Sequence, residues 1–492
     1  MDAELPGASG SCWTAGLSAP RYPSLQASIH AETVVVGAGI VGLTTGLRLR
    51  EEGREVAVVE ALDIGGQVTG RSTAKITTQH RLIYQQLIAQ RGRELAQDYA
   101  DANKAGCDLI CDWVDRHAIA CDFENRDAYV YTRDLGRRNE IEAEAAAARS
   151  LGFNATILDR APLPFETAAA LRFPDQAQFN PASYLHGLAK AFIEGGGLLF
   201  ERSRTRLIDE ANRWRVVTDG GNIHAENVII ATNMTVKSPL GMARRTQPRM
   251  HIAMAFRTDD ADLLDGMFIS LEEPSRSLRL GRDADGPLLV VLGPRFNTGQ
   301  DGDVASRFRE LEVWVRDHFD VGDTAWRWCN EDYDTLDRIA YVGEPDSSKA
   351  PGFYIATGFN AWGISNGTAA GMLICDLIVE RRSRWKALYD PARPAPEDFH
   401  RDGDSQSIVA SVEEIAPGHG GVIEKDGEKI AVYRGVQGGL HVLSAKCTHK
   451  GCTVTWNNAD RTWDCPCHGS IFSADGSVIH GPAKNPLALA VL

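Results

Sequence analysis

The stretch Thr33-Val-Val-Val-Gly37-Ala-Gly39-Ile-Val-Gly42 joins a short apolar run to three glycines in the spacing G-x-G-x-x-G. The apolar run is typical of a buried parallel strand, and Ile40–Glu52 has the apolar spacing of a helix. Between a strand and a helix, the first glycine allows a tight turn, the second lets a pyrophosphate approach the backbone, and the third lets the helix pack on the strand. This context predicts a dinucleotide site.

Glu60 ends the next predicted strand, Val56–Glu60, about twenty residues after the glycines. A carboxylate there can accept hydrogen bonds from ribose hydroxyls and disfavours NADP, so the motif leaves FAD and NAD as alternatives. The candidate nucleotide contacts in this unit are Gly37, Ala38, Gly39, Ile40, Val41, Gly42, Glu60 and Ala61.

A second pattern lies near the C-terminus, where Cys447-Thr-His449-Lys-Gly-Cys452 is followed by Cys465-Pro-Cys467-His468-Gly-Ser470. Cysteines and histidines in the order C-x-H and C-x-x-H can hold a [2Fe-2S] cluster, with two thiolates on one iron and two imidazoles on the other. A Cys2His2 zinc site is the alternative, although C-x-H is a short spacing for a zinc finger. Because such a cluster moves single electrons, the pattern predicts a partner that supplies or accepts electrons.

The composition limits the partners. The 492 residues include 52 basic and 66 acidic ones, and the net charge of −14 argues against nucleic acid and anionic membrane surfaces. We find no apolar run long enough to span a membrane and no secretory signal near Met1, so we expect a cytoplasmic protein without a membrane span. Ten cysteines in a chain of this length do not indicate a disulfide scaffold.

The order of the predicted elements indicates two folded parts. An α/β part contains the glycine-rich unit, a long, largely continuous helix over Leu82–His117, and antiparallel strands such as His251–Arg257. Prolines and charges over Arg381–Arg401 indicate a linker, and short β segments follow from Gln406. The predicted divisions are an N-terminal extension (1–30), a main domain (31–380), a linker (381–402) and a C-terminal all-β domain (403–492).

The α/β part resembles the glycine/D-amino-acid oxidase-like family of FAD enzymes. Three stretches carry the resemblance: Val34–Glu60, Gly65–Lys75 (GGQVTGRSTAK) and Ala356–Gly371 (ATGFNAWGISNGTAAG). The resemblance implies that the second stretch runs beside the flavin, and that the third places a helix N-terminus near the flavin O2, where it stabilises the reduced flavin. It therefore favours FAD over NAD. The further cofactor contacts that it implies are Gly70, Arg71, Ser72, Thr73, Lys75, Ala231, Thr232, Gly358, Gly363 and Ile364.

The resemblance also implies the layout of the main domain. It implies a Rossmann-like FAD-binding domain of the α/β class with an antiparallel β substrate subdomain, and a small all-β domain after it. The FAD-binding parts are about 31–80, 185–235 and 335–380, and the substrate or cap parts are about 81–184 and 236–334.

Nearly the whole chain resembles the subgroup of these enzymes that is fused to a C-terminal Rieske domain. This resemblance implies a disulfide between Cys452 and Cys467, as in Rieske proteins of respiratory complexes. The iron ligands that it implies are Cys447 and Cys465 on one iron and His449 and His468 on the other.

Three positions refine these expectations. Ser470 can donate a hydrogen bond to a cluster sulfur, which raises the reduction potential, whereas Phe472 stands where many Rieske domains have a Tyr that adds a second such bond. We therefore predict a potential below that of respiratory Rieske proteins. Asn180 stands where we expect a histidine in many relatives, so no base is available there if the position faces the substrate.

The family resemblance implies an enzyme that oxidises a C–N bond in an amine or amino acid. Its electrons would leave through the Rieske cluster to an external acceptor: a quinone, a cytochrome, a ferredoxin or oxygen. The alternatives are a flavoprotein that passes electrons from NAD(P)H or a partner to the cluster, and a redox module without its own substrate. No second G-x-G-x-x-G motif supports the NAD(P)H alternative.

The sequence does not identify a general base. Lys75 is a weak catalytic candidate as a cation beside the flavin. We expect Asn360 and Trp362 to shape the pocket and His251 to be a core histidine, although each is a weak catalytic candidate too. Arg279 and Arg282 could hold a substrate carboxylate, but arginines on strands are usually solvated.

Overall fold

The computed structural model describes residues 5–210, 213–237, 239–300, 302–394, 399 and 408–492. Residues 395–398 and 400–402 of the predicted linker, and 403–407 at the start of the predicted C-terminal domain, lie outside the described residues. The helices are α1 (Ile40–Glu51), α2 (Ile83–Arg91), α3 (Arg93–Arg116), α4 (Arg138–Ser150), α5 (Pro181–Glu194), α6 (Met242–Arg245), α7 (Val304–His318), α8 (Gly363–Ile378) and α9 (Trp385–Tyr389).

The strands alternate with these helices and continue into the C-terminal region. Up to residue 357 they are β1 (Ala8–Ser9), β2 (Ser28–Val36), β3 (Val56–Val59), β4 (Lys75–Ile76), β5 (Glu124–Thr132), β6 (Thr156–Leu158), β7 (Ala169–Gln178), β8 (Leu198–Phe200), β9 (Thr205–Glu210), β10 (Trp214–Thr218), β11 (Asn222–Ile230), β12 (Thr246–Arg257), β13 (Met267–Ser270), β14 (Ser277–Asp283), β15 (Gly286–Asn297), β16 (Thr324–Thr335), β17 (Tyr341–Gly343) and β18 (Phe353–Thr357). The C-terminal ones are β19 (Gly420–Lys425), β20 (Glu428–Arg434), β21 (Leu440–Ser444), β22 (Thr455–Asn457), β23 (Thr462–Asp464), β24 (Ile471–Ser473) and β25 (Val478–His480).

A largely parallel sheet carries the glycine-rich turn. Its strand order is β17-β18-β11-β2-β3-β8, and the pairs from β18 to β8 are parallel. All four residues of β3 (Val56–Val59) are buried, as expected for a parallel strand covered on both faces. Helix α1 follows β2 directly and packs against α8 and α5. The Rossmann-like prediction is confirmed.

A second sheet forms the cap over the first. Its order is β1-β16-β12-β15-β14-β13-β5-β7-β4, with β6 paired to β7. Its pairs are antiparallel except for β1 with β16 and β13 with β5, so the predicted antiparallel subdomain is confirmed in its main part. Strand β4 pairs Lys75 with Gln178 of β7, so the segment after the glycine-rich unit leads straight into the cap.

The C-terminal region is all β, as predicted. Strands β19, β20 and β21 form one antiparallel sheet, and β22 to β25 form another. The first cysteine–histidine segment, Cys447–Cys452, lies between β21 and β22, and the second, Cys465–Ser470, lies between β23 and β24. The two segments therefore reach the same end of the region as separate loops.

Three segments show structural detail that the sequence did not predict. The predicted, largely continuous helix over Leu82–His117 is observed as two consecutive helices, because Gly92 has a φ of +83° and separates α2 from α3. The N-terminal extension is packed on the cap, where β1 pairs with Trp326 and Arg327 and Trp13 is buried.

The first half of the predicted linker is also packed on the main domain. Helix α9 lies within it, and Leu388 and Tyr389 are buried. Arg393 is buried as well, with its Nε 2.9 Å from Asp337 Oδ2 and its Nη1 2.9 Å from the carbonyl oxygen of Ala340. No helix in the part of the chain that is described is long and apolar enough to cross a membrane.

The Arg393→Met variant should lower the free energy of unfolding by about 3 kcal/mol, because it leaves the buried Asp337 carboxylate with a weaker partner. Denaturant unfolding followed by flavin fluorescence measures this loss. The matched control is Arg384→Met, since Arg384 pairs with Asp98 at 3.5 Å on the surface and should cost about 1 kcal/mol or less. Equal losses in the two variants would contradict the anchoring role of Arg393.

Candidate active site and cluster site

The glycine-rich turn has the geometry of a phosphate-binding turn. Gly37 has a φ of +108°, and a Cβ there would lie 2.6 Å from the Ala231 carbonyl oxygen. A Cβ at Gly42 would overlap the Gly37 carbonyl oxygen, so Gly42 is needed for close helix packing. At Gly39, by contrast, the nearest atom is Thr69 Oγ1 at 3.4 Å, which leaves the turn open to a ligand.

Glu60 lies beside this turn, at the end of β3. Its Oε2 accepts a hydrogen bond from the Ala38 amide at 2.9 Å, and its Oε1 accepts one from the Leu62 amide at 3.0 Å. Burial raises the pKa of the Glu60 carboxyl, and these backbone hydrogen bonds oppose the shift. The carboxylate is therefore held rigidly next to the open turn.

One cavity of about 280 Å³ extends from this turn to the cap sheet. It is lined by residues 36–41 and 59–63, by Ser72–Lys75, and by the turn before α8. Helices α1 and α8 both begin at the cavity, and neither has a side-chain N-cap or an acidic residue in its first turn. Their partial positive charges therefore face the cavity, which suits a pyrophosphate at one end and a reduced flavin at the other.

Most of the predicted cofactor contacts line this cavity. Those that do so are Gly37, Ala38, Gly39, Ile40, Val41, Glu60, Ala61, Gly70, Ser72, Thr73, Lys75, Ala231, Thr232, Gly363 and Ile364. Gly42, Arg71 and Gly358 lie outside the lining. Arg71 instead donates hydrogen bonds to the carbonyl oxygens of Gly66 and Cys329, and Gly358 has a φ of +76° in the turn after β18.

The turn before α8 is fixed by its own side chains. Asn360 has a φ of +56°, and its side chain accepts from the Thr335 amide at 2.9 Å and donates to the Gly358 carbonyl at 2.7 Å. Trp362 lines the cavity and stacks on His80 with a centroid distance of 4.6 Å. Both contacts agree with the prediction that Asn360 and Trp362 shape the pocket.

Lys75 reaches the cavity from β4. Its Nζ donates a hydrogen bond to the Phe268 carbonyl oxygen at 3.0 Å and another to the Ser277 hydroxyl. Burial, with a smaller contribution from Arg279, lowers the pKa of Lys75 to about 7. The amine is therefore only partly charged near neutral pH, which weakens its predicted role as a permanent cation.

His251 is 6% exposed, as expected for a core histidine, and it also lines the cavity. Neither ring nitrogen makes a well-formed hydrogen bond to the described residues. Burial, with Arg295 adding to it, lowers the pKa of His251 well below its usual value, so the imidazole is neutral.

Other polar residues of the cavity were not found from the sequence. Arg276 is 7% exposed, and its Nε has no hydrogen-bond partner among the described residues. Arg81 and Arg295 line the same region. Asp332 also lines it, and burial raises the pKa of that carboxyl to about 6. No local pattern marks these residues, because the cap strands bring them together from distant parts of the chain.

Three further predicted residues do not act at the cavity. Arg279 is 2% exposed rather than solvated, and its Nη1 donates to the carbonyl oxygens of Thr73 and Ala74 at 2.8 and 2.9 Å. Arg279 therefore holds the backbone of Thr73 and Ala74 in place and does not bind a substrate carboxylate. Arg282 is exposed, and Asn180 caps α5 by accepting from the Ala182 amide at 3.0 Å.

The four predicted iron ligands converge at the tip of the C-terminal region. Cys447 and Cys465 are buried and interact through their thiols, and the rings of His449 and His468 lie 4.7 Å apart. Two thiols on one side and two imidazoles on the other fit the asymmetric ligation of a [2Fe-2S] cluster.

The surroundings of these ligands also agree with the prediction. The disulfide between Cys452 and Cys467 is confirmed, with an S–S distance of 2.03 Å. The Ser470 hydroxyl lies against Cys447 and accepts a hydrogen bond from the Ala483 amide at 3.1 Å. Phe472 is fully buried in the same apolar cluster as the ligand cysteines.

Strand β16 separates the cavity from the cluster site. Asn330 and Asp332 line the cavity, whereas Glu331 and Tyr333 contact the C-terminal region, in the alternation of a β-strand. The Tyr333 hydroxyl lies 3.2 Å from the carbonyl oxygen of His468, to which it can donate.

The same strand connects the cluster site with the turn before α8. The Tyr333 carbonyl oxygen accepts a hydrogen bond from the Asn360 amide at 3.0 Å. Tyr333 thus links the two sites: its hydroxyl contacts the His468 carbonyl oxygen, and its own carbonyl oxygen accepts from the Asn360 amide in the turn before α8.

Phe472→Tyr should raise the reduction potential of the cluster. One added hydrogen bond to the ligand sulfurs is worth about 1 kcal/mol, which is about 40 mV for a one-electron couple. A redox titration followed by electron paramagnetic resonance measures the midpoint. Ser470→Ala is the opposing control and should lower the midpoint by a similar amount. An unchanged midpoint in Phe472→Tyr, with the cluster intact, would contradict this account.

Comparisons with known proteins agree with both parts of the site. The family model described as "FAD dependent oxidoreductase" (DAO) matches residues 32–377, and the "Rieske [2Fe-2S] domain" model matches residues 405–490. The chain is 29% identical to the Rieske 2Fe-2S iron-sulfur protein YhfW of Bacillus subtilis, over 96% of each chain. It is 24% identical to gamma-glutamylputrescine oxidoreductase of Escherichia coli, over 76% of this chain and 90% of that protein.

A solved structure shows the same fold for the main domain. The crystal structure of glycine oxidase from Geobacillus kaustophilus matches with a TM-score of 0.62 and 18% identity, over 74% of this chain and 99% of that one. The oxidoreductase domain binds FAD and the C-terminal domain binds a [2Fe-2S] cluster. The chain belongs to the DAO family of FAD-dependent oxidoreductases and carries a C-terminal Rieske domain.

Proposed function

We propose that the protein oxidises a C–N bond of an amine or amino acid and passes the electrons through its Rieske cluster to an external acceptor. A single observation carries the proposal: one cavity is lined by the glycine-rich turn, by cationic residues of the cap and by residues of the Rieske domain. When bound, FAD would supply a hydride acceptor for the substrate, and the cluster would supply a carrier of single electrons. The E. coli and Geobacillus relatives, named for an amine and an amino acid, support this substrate class.

The cap end of the cavity favours a substrate that carries a carboxylate. Arg276 is buried there, and its Nε has no partner among the described residues. A buried guanidinium with unused donors binds a carboxylate in preference to a neutral group. Arg81 and Arg295 add positive charge to the same wall, although Arg295 is paired with Asp334.

Lys75 is suited to accept the proton of the substrate amine. Only the unprotonated amine can lose a hydride from its α-carbon, so a proton must leave the substrate ammonium group first. A lysine whose pKa lies at about 7 can take that proton near neutral pH. The hydrogen bonds to Phe268 and Ser277 hold its amine at the cavity wall.

Strand β16 provides the exit toward the Rieske domain. The hydrogen-bonded chain from the Asn360 amide through Tyr333 to His468 is continuous, and Asn360 and Tyr333 are buried. A packed connection through hydrogen-bonded atoms favours electron transfer between fixed sites. The candidate external electron acceptors are a quinone, a cytochrome, a ferredoxin and oxygen. The cytoplasmic location expected from the sequence stays a prediction.

Anaerobic incubation with a panel of compounds tests the proposed substrate class. Amino acids or amines should bleach the flavin absorbance, whereas NADH and NADPH should not. Reduction by NADH, with no response to any C–N compound, would support the electron-transfer alternative instead. Failure of every compound would favour a redox module without its own substrate.

Arg276→Met should lower kcat/KM for an amino acid by about thirtyfold, equivalent to about 2 kcal/mol, because a buried charged contact is lost. The corresponding amine without a carboxylate should show little change, which separates lost recognition from general damage. Arg282→Met removes an exposed arginine of strand β14 that does not line the cavity, and it serves as the matched control. An equal loss for the amine and the amino acid would contradict carboxylate binding by Arg276.

The limiting rate of flavin reduction should depend on the protonation of Lys75. Burial lowers the pKa of Lys75 to about 7, so the amine is charged below that pH and neutral above it. The rate at saturating substrate should therefore rise through pH 7 and level off above it. Lys75→Met should be slower and lose this rise, while Lys190→Met, at an exposed lysine, should keep it. An unchanged profile in Lys75→Met would rule out this role.

A further inference from the structure

The nucleotide end of the cavity is bounded by both domains. Residues Ile479 to Lys484 of the Rieske domain, which we call the closing segment, line the same cavity as Ser203, Arg204 and Thr205 with all of their members except Pro482. Glu60 and the glycine-rich turn line this cavity as well. Part of the wall of this cavity thus comes from a domain with its own cofactor.

The closing segment is built directly onto the cluster loop. Gly481 has a φ of +91°, and a Cβ there would lie 2.6 Å from Ser470 Cα. The Ala483 amide donates to Ser470 Oγ at 3.1 Å. Because Cys465–Ser470 carries two of the iron ligands, the inner face of the closing segment is fixed by the cluster-binding loop.

Two arginines of the oxidoreductase domain hold its other side. Arg204 Nη2 donates to the carbonyl oxygen of Ile479 at 3.4 Å and to that of Val478, the residue just before the segment, at 3.0 Å. Arg206 donates to the Lys484 carbonyl oxygen and pairs with Asp219 at 2.7 Å. These contacts are made to backbone atoms, so they set the position of the segment whatever its side chains are.

The segment also brings charge to the cavity. Lys484 lines it, and burial, with Lys237 adding to it, lowers the pKa of that lysine. Arg204 lines the same end. Two cationic side chains, one from each domain, suit the negatively charged adenosine diphosphate half of FAD.

We propose that the closing segment of the Rieske domain forms part of the FAD site and retains the nucleotide half of the cofactor. The Rieske domain then has a second role besides electron transfer: it covers the cavity and adds Lys484 to the groups that hold the phosphates. This role depends on FAD binding and not on the identity of the substrate.

The rate at which FAD leaves the purified holoprotein tests this proposal, since released FAD becomes fluorescent and no substrate is needed. Arg206→Met removes the contact to the segment backbone, and Lys484→Ala removes the cation. Each should speed release about tenfold, equivalent to about 1.4 kcal/mol. The matched control is Arg215→Met, because Arg215 makes a similar pair with Asp209 at 3.0 Å on the neighbouring strand.

Iron content is measured in parallel, so that loss of the cluster is recognised. Faster release from both variants, with iron retained and the Arg215→Met rate unchanged, supports the proposal. Release at the wild-type rate from both variants overturns it. If Arg206→Met loses iron, the rate of FAD release from Lys484→Ala alone decides between these two outcomes. A failure of the substrate panel would leave these rates unaffected, so the two proposals fail separately.

Discussion

The close packing of the second cluster loop against the cap is the constraint on which the arrangement of the two cofactor sites depends. Gly469 has a φ of +69°, and a side chain there would overlap the Tyr333 hydroxyl. From the other domain, a Cβ at Gly299 would lie 2.6 Å from the Asp464 carbonyl oxygen. One glycine on each side therefore lets the backbones meet. The Thr455 hydroxyl completes the contact by donating to the Gly299 carbonyl at 2.7 Å.

Because of this contact, strand β16 borders the FAD cavity on one face and the Rieske domain on the other. Because side chains alternate along a strand, Asp332 faces the FAD cavity while Tyr333 faces the Rieske domain. Glu331 lies 3.4 Å from His480, and burial raises the pKa of Glu331 and lowers that of His480 to about 4, so burial disfavours the charged form of both groups. Close packing and hydrogen bonds, including those from Arg204 and Arg206 to the Rieske backbone, hold this interface and favour a fixed position for the cluster.

Local sequence patterns predicted the parts of the site that a single chain segment builds. The turn Gly37–Gly42 and Glu60 lie within one βαβ unit, and the spacing of Cys447 to His468 is imposed by the cluster. The carboxylate-binding candidate Arg276 and the connecting residue Tyr333 were missed, because their roles arise from strand pairing and domain contact. Those contacts join residues far apart in sequence and leave no periodic signal.

Burial explains the other differences between prediction and structure. Lys75 was placed correctly beside the cavity, but its lowered pKa follows from the low-polarity surroundings that the cap creates. Arg279 was expected to be solvated, yet it is buried because the backbone carbonyls of Thr73, Ala74 and Phe179 satisfy its guanidinium. In each case the deciding factor is the tertiary environment rather than the residue type.

The central claim is that electrons pass from the flavin to the cluster inside one molecule. Flash photoreduction of the flavin under anaerobic conditions, with the cluster followed by absorbance and electron paramagnetic resonance, tests it without a substrate. We predict that the cluster becomes reduced as the flavin is reoxidised, with a first-order rate that does not change with protein concentration. A cluster that stays oxidised, or a rate that rises with protein concentration, would contradict the account.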